Sequence, residues 1–181
     1  MVVEETYLKG CYVITPKLFK DERGYFLETF NEKEFSEKTG IQTKFVQDNL
    51  SKSSKGVLRG LHFQEGNSAQ AKLVQVIEGK VLDVCVDLRM DSPTFGKHFS
   101  IFLDGLNKKQ LYVPRGFAHG FIVLKNNTIF SYKCDNYYNK ASESGVKFND
   151  KTLNIDWGFP EKDIIVSEKD NDLLTFKDLF K

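Results

Sequence analysis

Histidine is scarce here: three residues in a chain of 181, at positions 62, 98 and 119. No two of them form an H-x-H pair, so the usual strand motif of a metal-binding β-barrel is missing. A metal site would have to be assembled from two histidines and carboxylates, which the spacing signals only weakly. Cysteine is equally rare. Cys11, Cys85 and Cys134 are odd in number, far apart and in no C-x-x-C pair, which fits a reducing, cytoplasmic setting with the thiols as small buried apolar groups. Charge of one sign is not in excess: 26 Lys and Arg face 25 Asp and Glu, a net +1, with both signs mixed along the chain. That argues against a general nucleic-acid or membrane-surface role, though not against a local cationic pocket. No apolar run reaches the length of a membrane span. The N-terminal Met1-Val2-Val3-Glu4-Glu5 has no basic segment leading into an apolar stretch, so no signal peptide is expected. Repeats, linkers and low-complexity tracts are also lacking. The expectation is one domain over residues 1–181, with a full core from a 40% apolar composition.

The pattern that is present is mostly strand. One helix is signalled clearly: Asn31 as cap, Glu34 three residues on to complete a capping box, Phe30 and Phe35 as a hydrophobic staple, and Gly40 at the end. Before it, Gly24 closes a polar turn and opens a strand-like run from Tyr25 to Phe30. Lys72–Ile77 and Val81–Leu88 are β-branched runs joined at Glu78-Gly79-Lys80, which reads as a hairpin. Further strands are predicted at 57–64, 97–103, 109–113, 119–124 and 128–134. A second short helix is predicted in Asp170–Lys181, with Leu173, Leu174 and Phe176 facing the core. Many short strands at close spacing point to a β-sandwich or barrel, with a jelly roll the best single architecture.

Two histidines share one kind of setting. His62 lies in Leu58-Arg59-Gly60-Leu61-His62-Phe63-Gln64 and His119 in Val113-Pro114-Arg115-Gly116-Phe117-Ala118-His119-Gly120-Phe121. Each is wrapped in apolar residues and glycine, with an arginine upstream. That suits proton transfer on an anionic substrate, and it equally suits a satisfied core histidine. A base histidine needs a carboxylate on its other nitrogen, and Asp83, Asp87 and Asp170 are candidates. Asp83 and Asp87 share strand parity. They either face the interior and pair with His62 and His119, or face water and form structural ion pairs. Lys72, at the mouth of an apolar strand, reads from sequence alone as a surface charge. Tyr132 reads as a core tyrosine, although opposite a histidine it would serve as an acid. Arg23, Arg59 and Arg115 all flank glycine and would suit a diphosphate, with salt bridges at strand ends as the plainer reading. Arg59 and His62 have opposite parity. If both line one pocket, an irregularity is predicted at Gly60.

Arg59-Gly60-Leu61-His62-Phe63-Gln64, Ala71-Lys72-Leu73-Val74, Asp83 to Arg89 and Ser92-Pro93-Thr94-Phe95-Gly96 resemble the dTDP-4-dehydrorhamnose 3,5-epimerases. Pro114 to Phe121, Tyr132-Lys133, Asn149-Asp150, Ile155-Asp156-Trp157 and Ser167-Glu168-Lys169-Asp170 extend the likeness over nearly the whole chain, in the family's order. The resemblance implies a cupin-type jelly roll that forms homodimers and uses neither metal nor other cofactor. It implies epimerisation of dTDP-4-dehydro-6-deoxy-D-glucose at C3 and C5 to dTDP-4-dehydro-6-deoxy-L-mannose, the precursor of dTDP-L-rhamnose. A relative inverting C3 alone or C5 alone would look the same at its catalytic positions. A non-catalytic sugar-nucleotide-binding jelly roll would have little use for His62 and Tyr132 together, and a metal-dependent cupin oxygenase is disfavoured by the shortage of ligands.

The same resemblance assigns roles. His62 is implied as the base, oriented by Asp170, Tyr132 as the acid, and Lys72 as the group that stabilises the enolate oxygen. His119, paired with Asp83, would contact the sugar end. Arg23, Glu28, Gln47, Asp48, Asn49, Arg59, Lys72, His119, Glu143 and Lys169 match substrate-binding positions, and Tyr138 offers a face to thymine. Gly158 after Trp157, His98 and Phe148 depart from the family's usual residues, all away from the implied catalytic set.

Overall fold

The computed structural model describes all residues, Met1–Lys181. Thirteen strands run in order: β1 Val2–Glu5, β2 Tyr12–Thr15, β3 Phe19–Asp21, β4 Gly24–Phe26, β5 Gln47–Ser53, β6 Leu58–Gln64, β7 Lys72–Glu78, β8 Lys80–Asp87, β9 His98–Asp104, β10 Gln110–Val113, β11 Phe117–Val123, β12 Thr128–Cys134 and β13 Glu143–Gly145. The helices are α1 Glu32–Thr39, α2 Glu168–Asn171 and α3 Phe176–Leu179. Two antiparallel sheets face each other, ordered β1-β2-β10-β7-β12-β5 and β13-β6-β11-β8-β9. β3 and β4 form a separate two-stranded ribbon. The fold is mainly β, as the strand spacing predicted.

The central strands of the five-stranded sheet are apolar on both faces because both faces are covered. Every residue of β11 is buried. One face, with Val81, Cys85, Phe117 and Phe121, joins the core between the sheets. The other, with Leu82, Val84, Ala118 and Ile122, packs under the C-terminal segment around Phe148, Trp157 and Phe176. Outside the six-stranded sheet, Phe35 of α1 covers Ile14, Leu73 and Tyr112. α1 matches its sequence signals: the Asn31 side chain accepts from the Glu34 amide, Phe30 and Phe35 lie 5.8 Å apart, and Gly40 closes the helix. The capping box is only half formed. The Glu34 carboxylate turns to the N-terminal ammonium and Lys38, charges that attract it more strongly than the Asn31 amide.

Three other expectations are corrected. Glu78-Gly79-Lys80 is not a hairpin turn, because β7 pairs with β10 and β12 while β8 pairs with β9 and β11. The chain crosses from one sheet to the other at Gly79. A Cβ there would meet Thr128 Oγ1 at 2.2 Å, and φ is +89°, so the corner requires glycine. The strand opened by Gly24 stops at Phe26, where the ribbon leaves the body of the protein. The tail forms two helical turns rather than one helix. Thr175 caps the second, Phe176 is buried, and Leu174 is exposed because it lies in the extended link, bridged to Val146.

Candidate active site

A cleft opens between the two sheets. Its larger lobe is a cavity of about 540 Å³, reached by Arg59, His62, Lys72, His119, Tyr132 and Asp170. A second lobe of about 240 Å³ is lined by Gln47, Gln64, Gln70, Tyr138 and Glu143, among others. Asn49, His62, Lys72 and Tyr132 line both lobes, so they mark the neck where the two join. His62 and His119 come from the five-stranded sheet; Lys72, Tyr132 and Asn49 come from the six-stranded sheet. The histidines and the tyrosine therefore approach the same space from opposite walls.

The irregularity expected between Arg59 and His62 is present. His119 pairs with His62, but Phe121 pairs with Arg59, so three steps on β6 are matched by two on β11. The extra residue brings Arg59 and His62 to one side despite their opposite parity. Gly60 occupies the bulge at φ +114°, and a Cβ there would lie 2.6 Å from both Gly120 Cα and His119 O. No other residue fits this approach of the two backbones.

Each histidine is held by a carboxylate. His62 Nε2 lies 2.6 Å from Asp170 Oδ1. With Asp170 ionised, Nε2–H donates to it, which leaves Nδ1 with no protein partner. Asp170 is 3% exposed, sits on α2, and receives order from the Ser167 cap. Burial pushes its pKa up, but the hydrogen bond and charge of His62 pull harder, so it lies below the usual carboxylate value. His119 Nε2–H donates to both oxygens of the wholly buried Asp83, at 2.9 and 3.0 Å. Its ring stacks on Phe130, which in turn stacks on Phe121 at 3.9 Å. Across the cleft, loss of water lowers the Lys72 ammonium pKa, opposed by the nearby Cys134, Asp83 and Glu143. Lys72 thus lines the cleft and is not the surface charge its sequence position suggested. Burial raises the Tyr132 phenol, so it keeps its proton at neutral pH. At the far lobe, Tyr138 O–H donates to Glu143 at 2.7 Å, and Glu143 pairs with Lys169.

Several sequence candidates are not brought to the cleft. Asp87 pairs with no histidine: it accepts from Arg89, Ser92 and Thr94, which supply the donors nearest it in the chain. Asp48 points outward to Lys133, because alternation on β5 turns Gln47 and Asn49 inward instead. Arg115 pairs with Asp135 beyond the cleft wall. Arg23, on the β3–β4 turn, is exposed and paired with Asp21, and Glu28 accepts from Asn31. Sequence reasoning missed Phe130, Gln64 and Gln70. Phe130 shares parity with Tyr132, and Gln64 with His62, so strand alternation held the signal for both. The departure at Phe148 stays structural: its carbonyl accepts from the Trp157 indole N–H at 2.8 Å.

The family model for dTDP-4-dehydrorhamnose 3,5-epimerase matches residues 5–178 of the chain. The chain belongs to this epimerase family. It is an isomerase, and its two-sheet body is the cupin-type jelly roll of these epimerases. A dTDP-4-dehydrorhamnose 3,5-epimerase of Shigella flexneri is 49% identical over 170 residues, covering 94% of this chain and 93% of its own. The crystal structure of the epimerase from Elizabethkingia anophelis superposes with a TM-score of 0.95 at 61% identity, covering 98% of this chain and 97% of that one. The dTDP-6-deoxy-D-glucose-3,5-epimerase of Legionella pneumophila, solved in complex with dTDP-4-keto-L-rhamnose, superposes at 0.93 with 45% identity, covering 97% and 93%.

Proposed function

We propose that this epimerase inverts both C3 and C5 of dTDP-4-dehydro-6-deoxy-D-glucose, giving dTDP-4-dehydro-6-deoxy-L-mannose for dTDP-L-rhamnose synthesis. The observation that carries the reading is the placement of His62 and Tyr132 on opposite walls of one cleft. A carbon beside the C4 ketone is a weak acid whose conjugate base is an enolate. His62 Nδ1 takes the proton, and the resulting imidazolium is stabilised by Asp170. Lys72, in a cleft that strips its water, stabilises the charge that develops on the ketone oxygen. Tyr132 returns a proton to the opposite face, which inverts the centre. The atoms balance without oxidation, since one proton leaves carbon and one arrives. The ketone supplies the acidity, so the step draws on no redox cofactor and no metal.

Arg59, Gln47, Asn49, Glu143, Lys169 and His119 surround the base and acid and would hold diphosphate, nucleoside and sugar, with Tyr138 facing thymine. Arg23, Glu28 and Asp48 lie outside the chain's own cleft. The β3–β4 ribbon pairs with neither main sheet and exposes Phe19, Tyr25 and Phe26. A homodimer in which each ribbon packs on its neighbour would cover those rings and carry Arg23 and Glu28 to the neighbour's cleft. Sedimentation tests it: a monomer at micromolar concentration would refute the dimer. Three buried free thiols accord with a reducing, cytoplasmic compartment, and the near-zero net charge with a small-molecule partner rather than nucleic acid or membrane.

The reaction is tested by proton NMR of the keto-sugar nucleotide in heavy water. Deuterium should enter at C3 and at C5, with the L-manno product accumulating. Label at one carbon only would replace the reading with a single-centre epimerase.

A further inference from the structure

Between β12 and β13 the chain forms no ladder, and the backbone of residues 136–139 must find partners elsewhere. Three glutamine side chains supply them. Gln70 Nε2–H donates to Asn136 O at 2.7 Å. Gln64 Nε2–H donates to Tyr137 O at 3.2 Å and to Ser68 O at 2.9 Å, while Gln64 Oε1 accepts from Asn139 N–H at 2.6 Å. Gln47 Oε1 accepts from Tyr138 N–H at 3.0 Å. Gln47 comes from the six-stranded sheet and Gln64 from the five-stranded sheet, so this strap is tied to both walls of the cleft. Gln64 is only 8% exposed and both its amide hydrogens and its oxygen are used, so its side chain can adopt one arrangement. The strap carries Tyr138, whose phenol points to Glu143 and whose ring is half exposed at the smaller lobe.

We propose that Gln64 is a positioning residue for nucleotide recognition. By fixing Tyr137 O and Asn139 N–H on either side of Tyr138, it holds that ring over the smaller lobe before ligand arrives. This inference rests on the reading that the smaller lobe takes the nucleoside end of a dTDP-sugar. Gln64 sits two residues from His62 on the same strand face, yet all its bonds run to the strap and the Gly66–Ser68 turn and none to His62. Its removal should therefore weaken binding and leave the proton transfers alone.

The test is Gln64→Met, which keeps length and removes all three hydrogen bonds. KM for the sugar nucleotide and Kd for dTDP alone, by calorimetry, should both rise about tenfold, with kcat and saturated deuterium exchange within about twofold of wild type. In a Tyr138→Leu background the same change should add less than about twofold, because there is no ring left to position. A fall in kcat at unchanged KM would instead make Gln64 part of the His62 wall. A lower melting temperature with unchanged Kd would reduce it to a structural bond. Either result overturns the proposal, as does full additivity with Tyr138→Leu. If Gln64→Met does not fold, Gln70→Met removes only the Asn136 tie, and a rise in dTDP Kd at unchanged kcat is required of it. Wild type that fails to bind dTDP would sink the functional reading itself. Wild type that binds, with Gln64→Met binding equally well, would sink only this inference.

Discussion

Replacing Tyr132 by phenylalanine should separate two events that the intact enzyme couples: breaking the carbon–hydrogen bond and inverting the carbon. The change removes one oxygen and leaves the ring, which packs 6.1 Å from Phe130 and lies against the core between the sheets. The fold should survive it. His62, Asp170 and Lys72 are untouched, so the enolate should still form. With no phenol on the far face, the proton returns from the imidazolium on the near face and the original configuration is restored. General acid catalysis is worth about 10²–10⁴ in rate, or roughly 2.7–5.5 kcal/mol of barrier. Inversion should fall by that factor while deuterium wash-in from heavy water falls by less than about tenfold. NMR of one reaction mixture reads both: loss of the ring-proton signals for exchange, and the appearance of L-manno couplings for inversion. Equal falls in exchange and inversion would place the phenol with the base rather than opposite it. Inversion at wild-type speed would remove Tyr132 from the chemistry.

Asp170→Asn keeps the shape beside His62 but removes the charge that, in the proposed mechanism, stabilises the imidazolium. A charge-assisted bond is worth about 1.5–3 kcal/mol, so exchange at both carbons should fall about 10- to 150-fold, read by the same NMR. Gly60→Ala forces a methyl group to within 2.6 Å of two backbone atoms at φ +114°, so stability should fall by about 1–3 kcal/mol or more in urea melts, with activity lost through displacement of His62. Asp87 is held at a pKa of about 2 against an ordinary 3.8: burial opposes ionisation, and Arg89, Ser92 and Thr94 outweigh it. A depressed carboxylate contributes stability above its unfolded pKa and loses it as pH falls through the folded value. The gap corresponds to about 2 kcal/mol, so melting temperature should drop between roughly pH 5 and pH 2, and Asp87→Asn should flatten that slope while lowering stability at pH 7.

The core strands from β6 onward were legible because their apolar residues either alternate or run continuously, whereas β2, four residues long, was not, although Val13 and Ile14 are buried. β5 was not, since Gln47-Asp48-Asn49-Leu50-Ser51-Lys52-Ser53 has no apolar period. Its inward side is polar because it faces the cleft rather than the core, so the feature that hid the strand is its contribution to the site. The 78–80 corner misled because a hairpin and a sheet-to-sheet crossing use the same glycine, and only the Thr128 side chain pressed against Gly79 distinguishes them. At the site, the bulge at Gly60 followed from the opposite parity of Arg59 and His62, on the condition that both line one pocket. The pairing of His62 with Asp170 spans 108 residues, and local pattern could not reach it. It entered through resemblance, as did the cleft-facing role of Lys72. The glutamine strap lay beyond both, because a side chain that satisfies a loop's backbone leaves no periodic trace.

The proposed inversion requires a sugar ring lying between an imidazole and a phenol. The structure of this chain with a dTDP-4-keto-6-deoxy sugar bound tests it directly. The ring should sit at the neck of the cleft, with His62 Nδ1 and Tyr132 Oη on opposite faces, each about 3–3.5 Å from a carbon beside the ketone, and Lys72 at the ketone oxygen. A sugar bound with both groups on one face, or seated away from either of them, would contradict it.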